Sequence, residues 1–136
     1  MTDATQSVKA HILVIEDEES LRFMLESKLS QAGYAVGVAA TGKDALAKFQ
    51  SGQKYDLILC DLKMPNMSGL DLFREFKEMG GRVPFVIITG YPEREKIMEA
   101  IQLGVQDVIL KPIKHSELLE RIDAFLAGAA PAPSMM

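Results

Sequence analysis

The 136-residue sequence has a single cysteine, Cys60, and only two histidines, His11 and His115. One thiol cannot build a disulfide framework, which fits a reducing, cytoplasmic setting. Cys60 lies inside an apolar run and reads as a small core hydrophobe. The two histidines stand far apart and suggest no zinc site. His11 reads as a strand-start residue and His115 as a helix-start residue. No apolar run approaches the roughly 18 residues needed to span a bilayer. Residues 1–7 are polar and lack the apolar stretch of a signal peptide. Basic excess is missing too: 15 Lys and Arg face 19 Asp and Glu, a net charge of −4. That balance opposes direct nucleic-acid binding by this domain. Glycine-rich phosphate loops are also absent. There is no Gly-x-Gly-x-x-Gly, and Thr41-Gly42-Lys43 lacks the preceding glycine that a phosphate loop needs.

What is present is a rhythm. Hydrophobic residues make up 48% of the chain, too many for disorder. The length suits one domain. Five short apolar runs begin at His11, Tyr34, Asp56, Pro84 and Asp107, at intervals of 22 to 28 residues. They are rich in Ile and Val, as strands are when helices cover both faces of a sheet. Between them, Leu21, Leu25 and Leu29 recur at helical spacing, as do Ala45, Leu46 and Phe49. Leu70, Phe73 and Phe76 repeat the pattern, followed by Ile97, Ile101 and Gly104, and last by Leu118, Ile122 and Phe125. Thr41 to Asp44 and Ser68 to Asp71 have the form of capping boxes. Pro92 suits a first helical turn. Gly33, Gly52, Gly80 and Gly104 each follow a helical stretch and read as stops.

Strands alternating with helices imply an α/β fold with right-handed crossovers. The expected architecture is a doubly wound, five-stranded parallel sheet of order 2-1-3-4-5, flavodoxin-like, with helices on both faces. The expected organisation is a tail over 1–10, a domain over 11–127 and an Ala/Pro-rich tail or linker over 128–136.

In such a sheet, sites form beyond the carboxyl ends of the strands. Glu16 and Asp17 end the first run, Asp61 the third, Thr89 the fourth and Lys111 the fifth. With the first and third strands adjacent, Glu16 and Asp17 stand beside Asp61. Clustered carboxylates repel one another unless a cation joins them. Mg²⁺ suits them, being hard and retaining waters that a phosphate can replace. Asp17 and Asp61 are the expected direct ligands of one ion, and Glu16 acts through a water. A fixed carboxylate can also attack phosphorus, so Asp61 is the expected nucleophile. Lys111 and Thr89 would then hold the phosphoryl oxygens. Pro112 restricts Lys111 to extended geometry and aims it off its strand end.

These residues, in this order and spacing, resemble the response-regulator receiver domain of two-component signalling, from about His11 to Leu126. The segment Met64-Pro65-x-Met67-x-Gly69 is similar to the family's loop after its phosphoacceptor. The resemblance implies a phosphoprotein in which Asp61 receives a phosphoryl group from a sensor histidine kinase or a phosphotransfer protein. It implies intrinsic self-phosphorylation and self-dephosphorylation, and a signalling role rather than that of an enzyme. It further implies the Lys63 backbone carbonyl as a third ligand of Mg²⁺, for which Mn²⁺ would substitute. A cis peptide before Pro112 is implied as well, as is a tuning of phosphoryl lifetime by Lys63 and Tyr91. Where the family usually has an aromatic residue, three before the lysine, this chain has Val108. The switch is therefore expected in residues 90–94, with Tyr91 as a substitute lever. An output partner is expected at the face made by the fourth helix, fifth strand and fifth helix, and a dimer formed on phosphorylation is a separate expectation.

Three other readings share the fold. An aspartyl phosphatase would want an acid two residues after its nucleophile, and Lys63 stands there. A flavodoxin-like carrier would want Ser, Thr and Gly in its first loop, where this chain has Glu16 to Ser20. A receiver acting only as a binding module would not need the full set of site residues.

Overall fold

Residues 8–90 and 93–128 are described in the computed structural model. Tyr91, Pro92 and the two chain ends, with the readings attached to them, lie outside the described residues. The strands are β1 (His11–Ile15), β2 (Ala35–Ala39), β3 (Leu57–Asp61), β4 (Phe85–Thr89) and β5 (Asp107–Leu110). The helices are α1 (Glu19–Gln31), α2 (Gly42–Gln50), α3 (Gly69–Glu78), α4 (Arg94–Leu103) and α5 (His115–Leu126). All strand pairs are parallel, in the order β2-β1-β3-β4-β5. The expected fold is observed.

Three strands, β2, β3 and β4, each start one residue later than their apolar runs. Tyr34 precedes β2 and packs with the α1–α5 side of the core, its hydroxyl donating to Asp123. Tyr55 and Asp56 precede β3, and the Asp56 carboxylate accepts the His11 N–H at 2.8 Å. Pro84 cannot donate to a ladder, but its carbonyl accepts the Ile58 N–H at 2.9 Å.

Strand alternation sorts the core into two layers. Leu13, Ile15, Ile58, Cys60, Phe85, Ile87 and Val108 face α2, α3 and α4, meeting Ala45, Leu70, Phe73, Phe76, Ile97 and Ala100. Ile12, Val14, Leu57, Leu59, Val86, Ile88 and Ile109 face α1 and α5, meeting Leu25, Leu29, Leu118, Ile122 and Phe125. The three central strands are therefore apolar on both sides. The edge strand β2 is only half-buried over most of its length.

The helix ends follow local chemistry. Ser68 and Asp71 form a reciprocal capping box at α3. At α2 the Thr41 hydroxyl accepts the Asp44 N–H at 3.0 Å, the half of the expected box that the structure displays. Gly104 closes α4 at φ 107°, a left-handed value open to glycine at little cost.

Candidate functional site

The parallel register gathers one end of the sheet. Ile15 pairs with Cys60, so Glu16 and Asp61 follow side by side. Asp61 pairs with Ile88, and the Lys111 N–H donates to the Thr89 carbonyl at 2.8 Å, fixing Lys111 just past β5. The Lys111-Pro112 peptide is cis.

These ends surround a crevice of about 490 Å³, walled by Glu16, Asp17, Glu18, Asp61, Lys63, Met64, Pro65 and Lys111. Carboxylate oxygens from Glu16, Asp17 and Asp61 lie within 4.8 Å of one another. Glu16 and Asp61 are buried, at 1% and 5% exposure, whereas Asp17 is exposed at the rim. The Lys111 ammonium bridges the two buried acids, 3.1 Å from Glu16 Oε1 and 3.5 Å from Asp61 Oδ1. The Glu18 N–H donates to the other Glu16 oxygen at 3.2 Å.

Burial and the neighbouring Glu16 charge push the Asp61 carboxyl up to about 6, against the opposing pull of Lys111 and with a further push from Asp17. Cys60, fully buried beside it, has its thiol raised well above the ordinary value by burial and then by the Asp61 and Glu16 charges. A thiol held in that way is inert packing. Four acids, Glu16, Asp17, Glu18 and Asp61, against two lysines, Lys63 and Lys111, leave an excess of negative charge around the crevice, and an all-oxygen donor set suits a hard divalent cation. The cluster therefore fits Mg²⁺.

The structure brings together Glu16, Asp17, Asp61, Lys63 and Lys111. Thr89 ends β4 nearby but is fully buried and is not part of the crevice wall. Alternation explains this, because Thr89 shares the face of Phe85 and Ile87, toward α3 and α4. His11 lies at the opposite end of β1, and His115 sits at the start of α5 with its ring 2.8 Å from Met24 Sδ.

The loop after Asp61 is held tightly. Asn66 takes the left-handed φ of 71°, which asparagine tolerates. The chain thereby folds back so that the Gly69 N–H donates to the Leu62 carbonyl at 2.7 Å. A Cβ at Gly69 would stand 2.5 Å from the Asp61 carbonyl oxygen. Spacing alone reveals a glycine there but not what it touches. Arg22 is a further residue that periodicity does not single out. It reaches back from α1 to the Glu16 and Asp17 carbonyls.

Residues 12–123 match the family model for the response regulator receiver domain. The chain belongs to the response-regulator receiver family. A receiver places it in two-component, phosphorylation-controlled signalling, where such domains pair with histidine kinases. This receiver is 39% identical over 115 residues to the Regulator of RpoS of Escherichia coli K12, covering 85% of this chain and 34% of that protein. It is 36% identical over 115 residues to the two-component response regulator PhoP of Pseudomonas aeruginosa, covering 85% of this chain and 51% of that one. The chain thus spans about a third to a half of the length of these relatives. Among solved structures, the CheY-like receiver domain protein of Methanospirillum hungatei superposes with a TM-score of 0.83 at 31% identity, over 90% of this receiver and 97% of that chain. The Vibrio cholerae chemotaxis protein CheY4 superposes with a TM-score of 0.78 at 30% identity, over 85% and 98%.

Proposed function

We propose that this receiver accepts a phosphoryl group on Asp61 from the phosphohistidine of a histidine kinase or phosphotransfer protein, then loses it to water. The observation that carries this reading is the clustering of the Glu16, Asp17 and Asp61 carboxylates, with the Lys111 ammonium bridging two of them, in a single open crevice. An Asp61 carboxylate oxygen attacks phosphorus, an O–P bond forms, and the N–P bond of the donor breaks, leaving its imidazole. Water later attacks, releasing inorganic phosphate and restoring the carboxylate.

Asp17, Asp61 and the Lys63 carbonyl would hold Mg²⁺, with Glu16 acting through a water. The ion would supply charge neutralisation for the phosphoryl oxygens. Lys111 places a cation beside Asp61 and receives one phosphoryl oxygen. The Thr89 hydroxyl is assigned to another, and because Thr89 is fully buried an adjustment at the end of β4 would accompany that contact. That adjustment would link phosphorylation to α4, whose exposed Met98 and Leu103 offer apolar contact for an output partner or a second copy.

The test is incubation with a small acyl phosphodonor and Mg²⁺, followed by intact mass and peptide mapping. One phosphoryl group should appear on Asp61, and Asp61→Asn should abolish it. A label on His11 or His115 would overturn the assignment.

A further inference from the structure

Beyond Ile15 the strand ladder runs out. The Glu16 N–H donates to the Ala39 carbonyl at 3.0 Å, and that is the last step of the β1–β2 pairing. Glu16 and Asp17 follow the end of β1 and are two of the three clustered acids. One side chain from α1 meets the carbonyls of both: Arg22 Nη1 donates to the Glu16 carbonyl at 2.9 Å and reaches the Asp17 carbonyl at 3.4 Å. Arg22 is half-buried, and its own N–H donates to the Glu18 carbonyl at 2.9 Å, opening α1. Arg22 is therefore anchored at its base, and a single guanidinium nitrogen faces both carbonyls. The two N–H bonds of that nitrogen are fixed in the guanidinium plane and can hold two peptide carbonyls at set directions, which a freely rotating ammonium on a flexible stem does poorly.

We infer that Arg22 is a positioning residue for the divalent cation. By clamping the peptide planes of residues 16 and 17, it sets the direction of the Asp17 and Glu16 side chains toward Asp61. The inference rests on the metal reading above and deepens it. Its decisive property is a sign. Arg22 is a cation beside an acidic cluster, so by charge alone its removal strengthens binding of a second cation. If it works as a clamp, its removal weakens binding, because the acids lose their fixed geometry. Loss of a group that orients metal ligands weakens affinity by about 10- to 100-fold.

The test is Mg²⁺ titration of the full chain and of Arg22→Met and Arg22→Lys, followed by amide shifts of residues 16–18 and 61–63. Thermal unfolding without metal is recorded alongside. The expected result is an affinity about tenfold weaker in Arg22→Met. Arg22→Lys, which keeps the charge, should also be weaker than the parent chain. Unchanged affinity in Arg22→Lys, or tighter binding in Arg22→Met, overturns the inference and leaves charge as the whole effect. A folded parent chain that shows no saturable Mg²⁺ response overturns the metal reading itself, and the inference with it. Should Arg22→Met unfold, Arg22→Lys decides the question alone.

Discussion

Lys111 stands closer to Glu16 than to Asp61: its ammonium is 3.1 Å from the former and 3.5 Å from the latter. The longer Glu16 side chain thus shares the cation that the proposed phosphoacceptor uses. Lys111→Met should have three consequences. The Asp61 carboxyl should titrate above about 6, because the one cation lowering it is gone. Stability should fall by about 2 kcal/mol, because Glu16 is left as a buried acid without its cation. Mg²⁺ should still bind, and more tightly at pH 8, while the phosphoryl group accumulates less. Carboxyl NMR titration, denaturant midpoints and intact mass measure the three in turn. A Lys111→Met chain as stable as its parent would show that Glu16 does not depend on this partner.

Asp61→Asn should stabilise the metal-free protein at neutral pH. The folded-state value of about 6 lies above the ordinary 3.8, so the native state holds this proton more tightly than the unfolded chain does. The group's destabilising contribution is absent below about pH 3.8, grows between there and about 6, and is full above. Asparagine removes it. The gain should reach up to about 3 kcal/mol at pH 7.5 and vanish near pH 4. The same proton competes with Mg²⁺, so affinity should drop as pH falls through 6 and binding should release protons. Denaturant midpoints at the two pH values, and calorimetry in two buffers, check this. A parent chain and variant with equal midpoints at pH 7.5 would refute it.

At the far end of β5, Asp107 is 1% exposed and receives the guanidinium of Arg121 from α5 and the N–H of Val108 at 2.8 Å. Asp107→Ala removes the buried carboxylate that the Arg121 guanidinium meets. The cost should be about 2 kcal/mol, moderated because Arg121 is partly exposed and can turn to water. Mg²⁺ affinity should stay constant, because a four-residue strand puts about 13 Å between Asp107 and Lys111. A drop in denaturant midpoint with an unchanged titration curve is the expected pair of results. A changed titration curve would mean the two ends of β5 are coupled.

The sheet was legible because β1, β3 and β4 are buried on both faces, so their sequences are unbroken apolar runs bounded by polar residues. The site was legible for the same reason, since a polar residue ending such a run must lie at the sheet's rim. Spacing could not show depth. Asp61 and Thr89 both end strands, but Asp61 pairs with Ile88, and Thr89 lies one residue further on and on the other face. Contacts distant in sequence were equally hidden. Nothing local marks Arg121 as the partner of Asp107, or Arg22 as the residue that reaches the Glu16 carbonyl. The Gly69 requirement is of this kind too, since its cause is a carbonyl oxygen eight residues upstream.

Gly69→Ala tests that close approach. The new Cβ would meet the Asp61 carbonyl oxygen at 2.5 Å and the Leu62 Cα at 3.1 Å, both of them backbone atoms that cannot rotate away. Either α3 shifts or the end of β3 does. Overpacking of this sort costs about 1–3 kcal/mol. The distinguishing result is chemical: phosphoryl incorporation should fall even in the folded fraction, because the Asp61 backbone is displaced. Normal incorporation at reduced stability would place the whole adjustment in α3.

The last prediction concerns the switch. Val108 is fully buried on the α4 side of the sheet, packed in the layer that includes Ile87, Ile97 and Ala100, and carries no ring to swing outward. Thr89 lies on that same side by strand alternation, and Gly90 follows it without crowding, a built Cβ making only ordinary van der Waals contact with Lys111 carbons at 3.9 Å. A pull on Thr89 from a phosphoryl group therefore has little to displace sideways and a permissive hinge directly after it. The movement should run along the chain into α4 and not through residue 108. With a phosphoryl mimic and Mg²⁺, amide shifts should be large at Gly90 and across residues 93–103, and small at Val108 and in α2. Val108→Tyr should not be needed for the response. Thr89→Ala should abolish the α4 shifts while leaving those of the metal ligands intact. If residues 93–103 stay fixed while only residues 16–18 and 61–63 respond, the domain is rigid and a partner reads the phosphoryl group directly.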